Sequence, residues 1–318
     1  MLLSDYLNIS ELKPHEEACI ESPKNFTENA VNAYRVMMGV EPHPIVFSHE
    51  KYFARHPVLN DVELNKKGQH LFRWAFGTYA ARHRCETPEF LDRGLIIIED
   101  FLDKDWQEEL QREFETIPCA VNKQPFNLAS NLMKMSNTYS AVNYTVNSSG
   151  LRELVQGCVG RHKQNATTEY REKSYAQRVE NSPDDNDIQK VIHSDIFFPA
   201  IKWWYFPDEV KRDHGAFRYM TRPLGMESNF LGWLYLQSVR IAEGTYEEWR
   251  GKDHAEGSLR MSEEEISTHG YAMDQVTCKA NTLVIGNVQN FHCRGNTIKP
   301  ITRNAIHGSI RIEKPFVI

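Results

Sequence analysis

The sequence contains two histidines and an aspartate whose spacing suits a metal centre. His193 and Asp195 form an H-x-D motif at the start of a β-like run, and His292 follows another such run far downstream. Side chains two positions apart on a strand point to the same side, so His193 and Asp195 can approach one point. Two histidines and one carboxylate occupy one face of an octahedral ion in non-haem Fe(II) oxygenases, which leaves other positions open. The three residues therefore predict a metal centre, with Fe(II) as the favoured ion.

An arginine near the C-terminus could give this centre a second function. Arg303 follows His292 by eleven positions and lies in the last β-like run. An arginine there could hold the far carboxylate of a dicarboxylic acid through a bidentate pair, while the ion chelates the 2-oxo-acid end. Arg294 is a further candidate partner for a carboxylate of this cosubstrate, although a surface position is the simpler expectation for it.

Each of these residues also has an ordinary structural interpretation. A single H-x-D motif carries little information, and a histidine after a strand is often a core or surface residue. Arg303 could pair with a surface glutamate, since structural ion pairs are common. His307 is an alternative third ligand, because it would share a strand face with Arg303. Only the order and placement of the four residues favours a metal centre over these interpretations.

The elements that would position these residues change in character near residue 93. Before it, amphipathic helices are predicted over 27–39 and 66–84. The elements predicted after it are a strand at 94–101, a helix starting at Asp103, a helix at 150–159, a loop at 174–190, strand-like runs at 191–206 and 216–221, a polar helical region at 234–266 with a helix start at Ser262, and strands at 282–288 and 301–312. These strands lack a βαβ rhythm, which favours an antiparallel sandwich or jelly roll over a parallel sheet.

The composition excludes several classes of function. The chain has 318 residues and a formal net charge of −6, which argues against a nucleic-acid partner. It has no run of about twenty apolar residues, so no membrane partner is expected. The first ten residues lack the features of a signal peptide, so a cytoplasmic location is expected. Neither a G-x-G-x-x-G motif nor a Walker loop is present, which disfavours nucleotide binding through those devices.

Taken in order, these motifs resemble the phytanoyl-CoA dioxygenase-like branch of the Fe(II)/2-oxoglutarate-dependent oxygenases. The family pattern is H-x-D, then a distal histidine, then an arginine shortly after it. His193, Asp195, His292 and Arg303 match this pattern. The spacing from His292 to Arg303 fits the family, whereas His307 as the third ligand would leave that spacing unexplained.

Further parts of the sequence resemble the same family, and two positions depart from it. The run 94–101 and the helix after it resemble the family's opening strand and helix, and 215–220 resembles its glycine-led strand. The glycine-serine-histidine turn usual after that strand is absent, since the chain reads T-R-P-L at 221–224. Arg294 stands where some members carry a small polar residue that faces the cosubstrate.

The resemblance implies a fold, an activity and a set of cofactors. It implies a β-rich, double-stranded β-helix (a jelly-roll or cupin-like core flanked by helices) over 91–318, with 1–90 as a helical N-terminal extension packed on it. It implies Fe(II), 2-oxoglutarate as cosubstrate and dioxygen, with succinate and carbon dioxide released as a small-molecule substrate is oxidised. Because halogenating relatives replace the carboxylate of the H-x-D motif, Asp195 favours hydroxylation, desaturation or ring closure.

Two other classes of protein remain open at this point. One is a cupin-like metalloenzyme that uses the same ligands without 2-oxoglutarate, and the other is a non-catalytic jelly-roll binding protein. The sequence predicts neither the substrate nor the oligomeric state.

Overall fold

The computed structural model of the chain describes residues 84–119, 130–133, 138–161, 168–183, 187–195, 200–221, 233, 237, 240–241, 243–246 and 258–312. The helix predicted at 27–39, nearly all of that at 66–84, and most of the predicted 1–90 extension lie outside these residues.

Nine strands in the described residues form two antiparallel sheets. They are β1 Leu95–Ile98, β2 Ser130–Leu132, β3 Tyr170–Asn181, β4 Ala200–Phe206, β5 Phe217–Tyr219, β6 Asp274–Val276, β7 Thr282–Asn287, β8 His292–Arg294 and β9 Ile301–Ile312. The larger sheet has the order β1-β7-β4-β9-β3-β2, and the smaller has the order β6-β5-β8. The strand-rich antiparallel architecture expected from the sequence is confirmed, and it is consistent with a jelly-roll core.

Five α-helices are described with both of their ends, and further helical positions occur at 233, 237, 240–241 and 243. The five are α1 Pro88–Arg93, α2 Lys104–Thr116, α3 Ser140–Asn147, α4 Ser149–Val159 and α5 Glu263–Thr268. The start predicted for α5 is confirmed, because Ser262 and Glu265 form a reciprocal capping box. No helix among the described residues has the length and apolar character that a membrane span requires.

The two faces of the larger sheet are covered by different layers. On β4, Ile201, Trp203 and Tyr205 pack into the core cluster that contains the buried faces of α2, α3 and α4. Trp204 and Phe206, which alternate with them, face the smaller sheet instead. Because both faces are covered, this strand is almost continuously apolar in sequence. The space between the two sheets contains the site described below.

The loop predicted over 174–190 is wrong for residues 174–181. Residues 170–181 form β3, which pairs with β9 along all twelve positions. The strand is polar because its first half is exposed and because Tyr175 and Gln177 face a cavity rather than a dry core. A polar sequence with one covered face therefore concealed one of the two longest strands of the sheet.

Two other predicted boundaries also differ from the structure. The strand-like run 191–206 is regular only in β4, and His193 makes isolated bridges to Arg260 and to His292 of β8. His292 is the first residue of β8, not part of a turn. In the polar region predicted as helical over 234–266, residues 237, 240–241, 243 and 263–268 are helical and residues 258–262 are not, and most of the positions before 258 lie outside the described residues.

Candidate metal centre

Main-chain hydrogen bonds bring the H-x-D motif beside β8. The His193 amide donates to the His292 carbonyl at 2.9 Å, and the His292 amide donates to the His193 carbonyl at 2.8 Å. Two residues along, the Asp195 amide donates to the Val288 carbonyl at 3.0 Å. These bonds hold together residues almost one hundred positions apart, so their side chains meet without a regular strand at 191–195.

The side chains of His193, Asp195 and His292 converge on one point. Their candidate ligand atoms all lie within 4.8 Å of one another, and no other group of this kind occurs in the described ranges. His193 Nε2 lies 3.7 Å from Asp195 Oδ1, and His292 Nε2 lies 3.7 Å from Asp195 Oδ2. Donors bound to one ion at about 2.0–2.2 Å can be separated by no more than about 4.4 Å. The two nitrogen–oxygen distances therefore fit a shared ion.

Backbone carbonyls fix the orientation of both imidazoles. His193 Nδ1 lies 2.7 Å from the Val191 carbonyl, and His292 Nδ1 lies 3.0 Å from the Asn290 carbonyl. Because a carbonyl only accepts, each Nδ1 carries the proton and each Nε2 keeps its lone pair for a ligand. His193 Nε2 is buried and has no hydrogen-bond partner within the described part of the chain. A buried acceptor of this kind is what a metal would satisfy.

The charges of the group suit a divalent cation. Burial, followed by the neighbouring His292, lowers the pKa of His193 to about 3, and burial also lowers the pKa of His292. Both imidazoles are therefore neutral at pH 7. Burial alone would raise the pKa of Asp195, but the Lys202 ammonium and the two histidines outweigh it and hold this pKa below its ordinary value. Two neutral imidazoles and one carboxylate are the protonation states that metal binding requires.

Lys202 is a member of the site that sequence reasoning missed. It extends from β4, and its ammonium forms an ion pair with Asp195 Oδ2. In the sequence it precedes the apolar W-W-Y-F within the strand-like run 191–206, a pattern that predicts a strand but no chemical role. The available signal was the alternation of the strand, which puts Lys202 on the same face as Trp204 and Phe206.

The metal group opens into a cavity of about 200 Å³ between the two sheets. This volume is several times that of one water, about 30 Å³, and is below the roughly 300–1,000 Å³ of sites for drug-sized ligands. The cavity is lined by Tyr175, Gln177, Val179, Gln189, His193, Lys202, Trp204, Phe206, Phe217, His292, Cys293, Arg294, Arg303 and His307. It therefore suits a small ligand, and its described lining carries three cationic side chains but no acidic one.

Arg303 lies on this wall with its charge uncompensated. Its Nη1 donates to the Gly215 carbonyl at 3.0 Å, and its guanidinium lies 5.3 Å from the centre of the Phe206 ring. No acidic side chain within the described residues pairs with it, and its Nε is buried without a partner. Burial and the nearby Arg294 lower the pKa of Arg303 to about 10, so it remains charged at pH 7. The alternative that Arg303 pairs with a surface glutamate finds no such partner among the described residues.

The main chain that accepts from Arg303 depends on a glycine. Gly215 has φ +69°, in the left-handed region. A Cβ there would lie 2.5 Å from Asn181 Nδ2 and 3.0 Å from the Gly295 carbonyl oxygen. The glycine thus permits the turn that presents its carbonyl to Arg303.

Arg294 is largely buried, so the expected surface position is wrong. Its side chain is 10 % exposed, and its Nη1 donates to Oδ2 of Asp187, whose side chain is fully buried. Arg294 lines the cavity, but Asp187 already balances its charge. Its role as a second partner for the cosubstrate carboxylate stays a prediction.

His307 lines the cavity but does not join the three converging side chains. It stacks on Tyr175 at 4.8 Å between ring centres and meets the edge of Trp204 at 5.5 Å. Burial, with Lys202 nearby, lowers the pKa of His307 to about 3. It lies four residues from Arg303 on β9, which is about 13 Å along a strand.

Comparison with solved structures finds several chains that align with part of this one at low identity. HygX from Streptomyces hygroscopicus, solved with nickel, 2-oxoglutarate and hygromycin B bound, has 10 % identity and a TM-score of 0.43, over 71 % of this chain and 87 % of HygX. SnoN, a non-haem alpha-ketoglutarate-dependent epimerase from nogalamycin biosynthesis, has 11 % identity and a TM-score of 0.45, over 74 % and 82 %. AviO1 from Streptomyces viridochromogenes Tue57 has 10 % identity and a TM-score of 0.38, over 74 % and 94 %. No protein-family model matches the sequence, and no curated protein matches it.

Proposed function

We propose that the chain is an Fe(II)- and 2-oxoglutarate-dependent oxygenase of the hydroxylase type that acts on a small-molecule substrate. The observation that carries this proposal is the pairing of two features in one cavity. His193 and His292, which converge with Asp195 on one point, line the cavity together with the uncompensated guanidinium of Arg303.

The donor set fits iron. His193 and His292 would bind Fe(II) through Nε2, and Asp195 would bind it through a carboxylate oxygen. Neutral imidazoles with one carboxylate suit Fe(II), and three protein donors leave positions for a cosubstrate. The Val191 and Asn290 carbonyls hold both imidazoles in the tautomer that binding needs.

The remainder of the cavity fits 2-oxoglutarate. Arg303 would hold the far carboxylate, which would supply the negative charge that this guanidinium lacks. Phe206 beside it keeps water from that pair, and a pair of charges with less water around it binds more strongly. When bound, iron with 2-oxoglutarate and dioxygen supplies the oxidising chemistry, and succinate and carbon dioxide are released. The protein orients the cosubstrate and shields it.

The same proposal covers finer points of fold and family. The order of H-x-D, distal histidine and arginine supports the phytanoyl-CoA dioxygenase-like branch. It also supports a double-stranded β-helix domain over 91–318, with 1–90 as a helical extension. Asp195 supplies the carboxylate that favours hydroxylation, desaturation or ring closure. The expected partner is a small molecule, with neither nucleic acid nor membrane involved.

The decisive experiment is an anaerobic titration of the purified chain with Fe(II) and then 2-oxoglutarate. We expect a metal-to-ligand charge-transfer band without oxygen, and succinate once air is admitted. His193→Ala should lose both, because it removes one of three ligands. The matched control is His269→Ala, which removes a histidine outside the cavity lining and should retain both signals.

Three results would redirect the assignment. Metal binding without any effect of 2-oxoglutarate would favour a cupin-like metalloenzyme. Failure to bind Fe(II), with the chain folded by circular dichroism, would favour a non-catalytic binding protein. An unchanged titration of His193→Ala would contradict the ligand assignment.

A further inference from the structure

Lys202 is a cation inside the cavity whose only acidic partner in the described residues is a proposed metal ligand. Its side chain is 26 % exposed and forms an ion pair with Asp195 Oδ2. Its neighbours across the sheet are Gly286 on β7 and Ser309 on β9, neither of which carries charge. Without metal, the ammonium therefore pairs with the carboxylate that the metal would bind.

Metal binding would weaken the ion pair between Lys202 and Asp195. The Asp195 oxygen that pairs with Lys202 is also the one that lies 3.7 Å from His292 Nε2. A divalent ion held by this group would face the ammonium at close range, and like charges repel strongly where little water screens them. Because the carboxylate then shares its single negative charge with the ion, its pair with Lys202 weakens even where the ion takes only one oxygen.

With metal and 2-oxoglutarate bound, Lys202 would have no negative charge to balance it. Asp195 and one carboxylate of 2-oxoglutarate would together balance the divalent ion, and the other carboxylate would balance Arg303. Asp187 already balances Arg294. The described lining contains no other acidic side chain, so Lys202 would hold the one unmatched positive charge. A half-buried charge without a partner is unfavourable, and a ligand anion would satisfy it.

The position of Lys202 separates it from the end that holds Arg303. Since Lys202 pairs with Ser309, its backbone lies six residues beyond Arg303 along β9, roughly 20 Å at strand spacing. The wall near it includes Tyr175 and His307, and His307 Nδ1 is buried with no hydrogen-bond partner among the described residues. This end of the cavity thus offers a cation and a spare polar atom away from the cosubstrate anchor.

We propose that Lys202 recognises a carboxylate group of the primary substrate, and that metal binding releases it from Asp195 for this role. The inference rests on the proposed function and adds a substrate class to it: small carboxylic acids. His307 would accept or donate one hydrogen bond to the same substrate.

The test measures binding of matched acids and amides to the loaded protein. The chain is saturated with Zn(II) and 2-oxoglutarate, and saturation-transfer NMR follows acetate, butyrate and phenylacetate beside acetamide, butyramide and phenylacetamide. We expect at least one acid to bind about 10- to 100-fold more tightly than its amide, the range for a hydrogen bond to a charged group. Lys202→Met should abolish this preference, and Lys202→Arg should keep most of it.

Two controls separate the role from general effects of charge and folding. Lys104→Met removes the same charge from helix α2, where the side chain is 84 % exposed, and should keep the preference for acids. Lys202→Met should bind Zn(II) at least as tightly as the unchanged chain, because it removes a cation that competes for Asp195. Thermal melting shows that each variant is folded.

Several results would overturn the inference. They are equal binding of acids and amides, no binding of any acid, an undiminished preference in Lys202→Met, or weaker Zn(II) binding by that variant. A loss of 2-oxoglutarate binding in Lys202→Met, measured by calorimetry, would assign the lysine to the cosubstrate instead. Failure of the unchanged chain to bind Zn(II) or 2-oxoglutarate would refute the proposed function itself, and with it this inference.

Discussion

Replacing Arg303 with methionine should weaken cosubstrate binding and leave the free protein as stable as before or more so. In the free protein the guanidinium has one hydrogen bond, to the Gly215 carbonyl at 3.0 Å, and no acidic partner in the described residues. The fall of its pKa to about 10 corresponds to roughly 3 kcal/mol of cost for keeping it charged in the folded state. This cost is fully present at pH 7, since it is relieved only as the pH rises past about 10.

The two effects of Arg303→Met have opposite signs and can be estimated separately. Losing the bond to Gly215 costs about 1 kcal/mol, so the net change in unfolding free energy is a gain of up to about 2 kcal/mol. Losing two charge-assisted hydrogen bonds to the cosubstrate carboxylate removes about 3 kcal/mol or more, which is roughly a hundredfold in Kd. Arg303→Lys keeps the charge but not the fork, so its Kd should lie between the two.

The assay is calorimetric titration of 2-oxoglutarate into Zn(II)-loaded protein, with thermal melting of the metal-free chain. Arg112→Met on α2 is the matched control, because Arg112 is 68 % exposed and is not part of the cavity lining. A melting temperature several degrees lower in Arg303→Met, together with unchanged cosubstrate affinity, would refute the reasoning. Arg303 would then be a structural residue.

Two further predictions concern the packing that supports the cavity. Glu113→Gln should lower the unfolding free energy, measured by urea titration, by about 1.5–3 kcal/mol, because the buried carboxylate accepts from the amides of residues 141 and 142 at 2.9 and 2.8 Å. Glu108→Gln, at an exposed position on the same helix, should change it by less than about 0.5 kcal/mol. Gly308→Ala should lower the unfolding free energy by about 1–3 kcal/mol, since the new Cβ would lie 2.0 Å from the buried indole of Trp203. Gly150→Ala, whose Cβ would have its nearest neighbouring atom at 3.8 Å, should be tolerated. Equal effects within either pair would contradict the corresponding contact.

The sequence predicted those parts of the fold whose periodicity is local. The four-residue spacing in α2 and the capping box at Ser262 act within one or two turns, so they can be read without the tertiary structure. β3 could not be predicted in this way. Its polar side chains suit a strand only because β9 pairs with it over twelve positions and because one face borders a wet cavity.

In the candidate site, too, the residue types could be predicted from the sequence, whereas the contacts that depend on tertiary structure could not. The types and order of His193, Asp195, His292 and Arg303 are properties of the sequence, and they suggested a metal with a carboxylate cosubstrate. The pair of Lys202 with Asp195 depends on a strand register that no local pattern encodes. The ion pair between Asp187 and Arg294 likewise joins residues that only the folded chain brings together.

The way the ligands are held separates the chemistry of the site from the stability of the fold. His193 and His292 are joined by a reciprocal pair of main-chain hydrogen bonds, and Asp195 is held by its amide, so their positions do not depend on their side chains. The side chains themselves form a cluster of buried polar groups with an ion pair between Asp195 and Lys202 and an unsatisfied nitrogen on His193. Such groups lower the folding stability of the metal-free chain, and their removal leaves the main-chain hydrogen bonds at His193, Asp195 and His292 intact. Loss of metal binding in variants of these three residues should therefore occur in folded proteins, so that the loss reports on ligation rather than on unfolding.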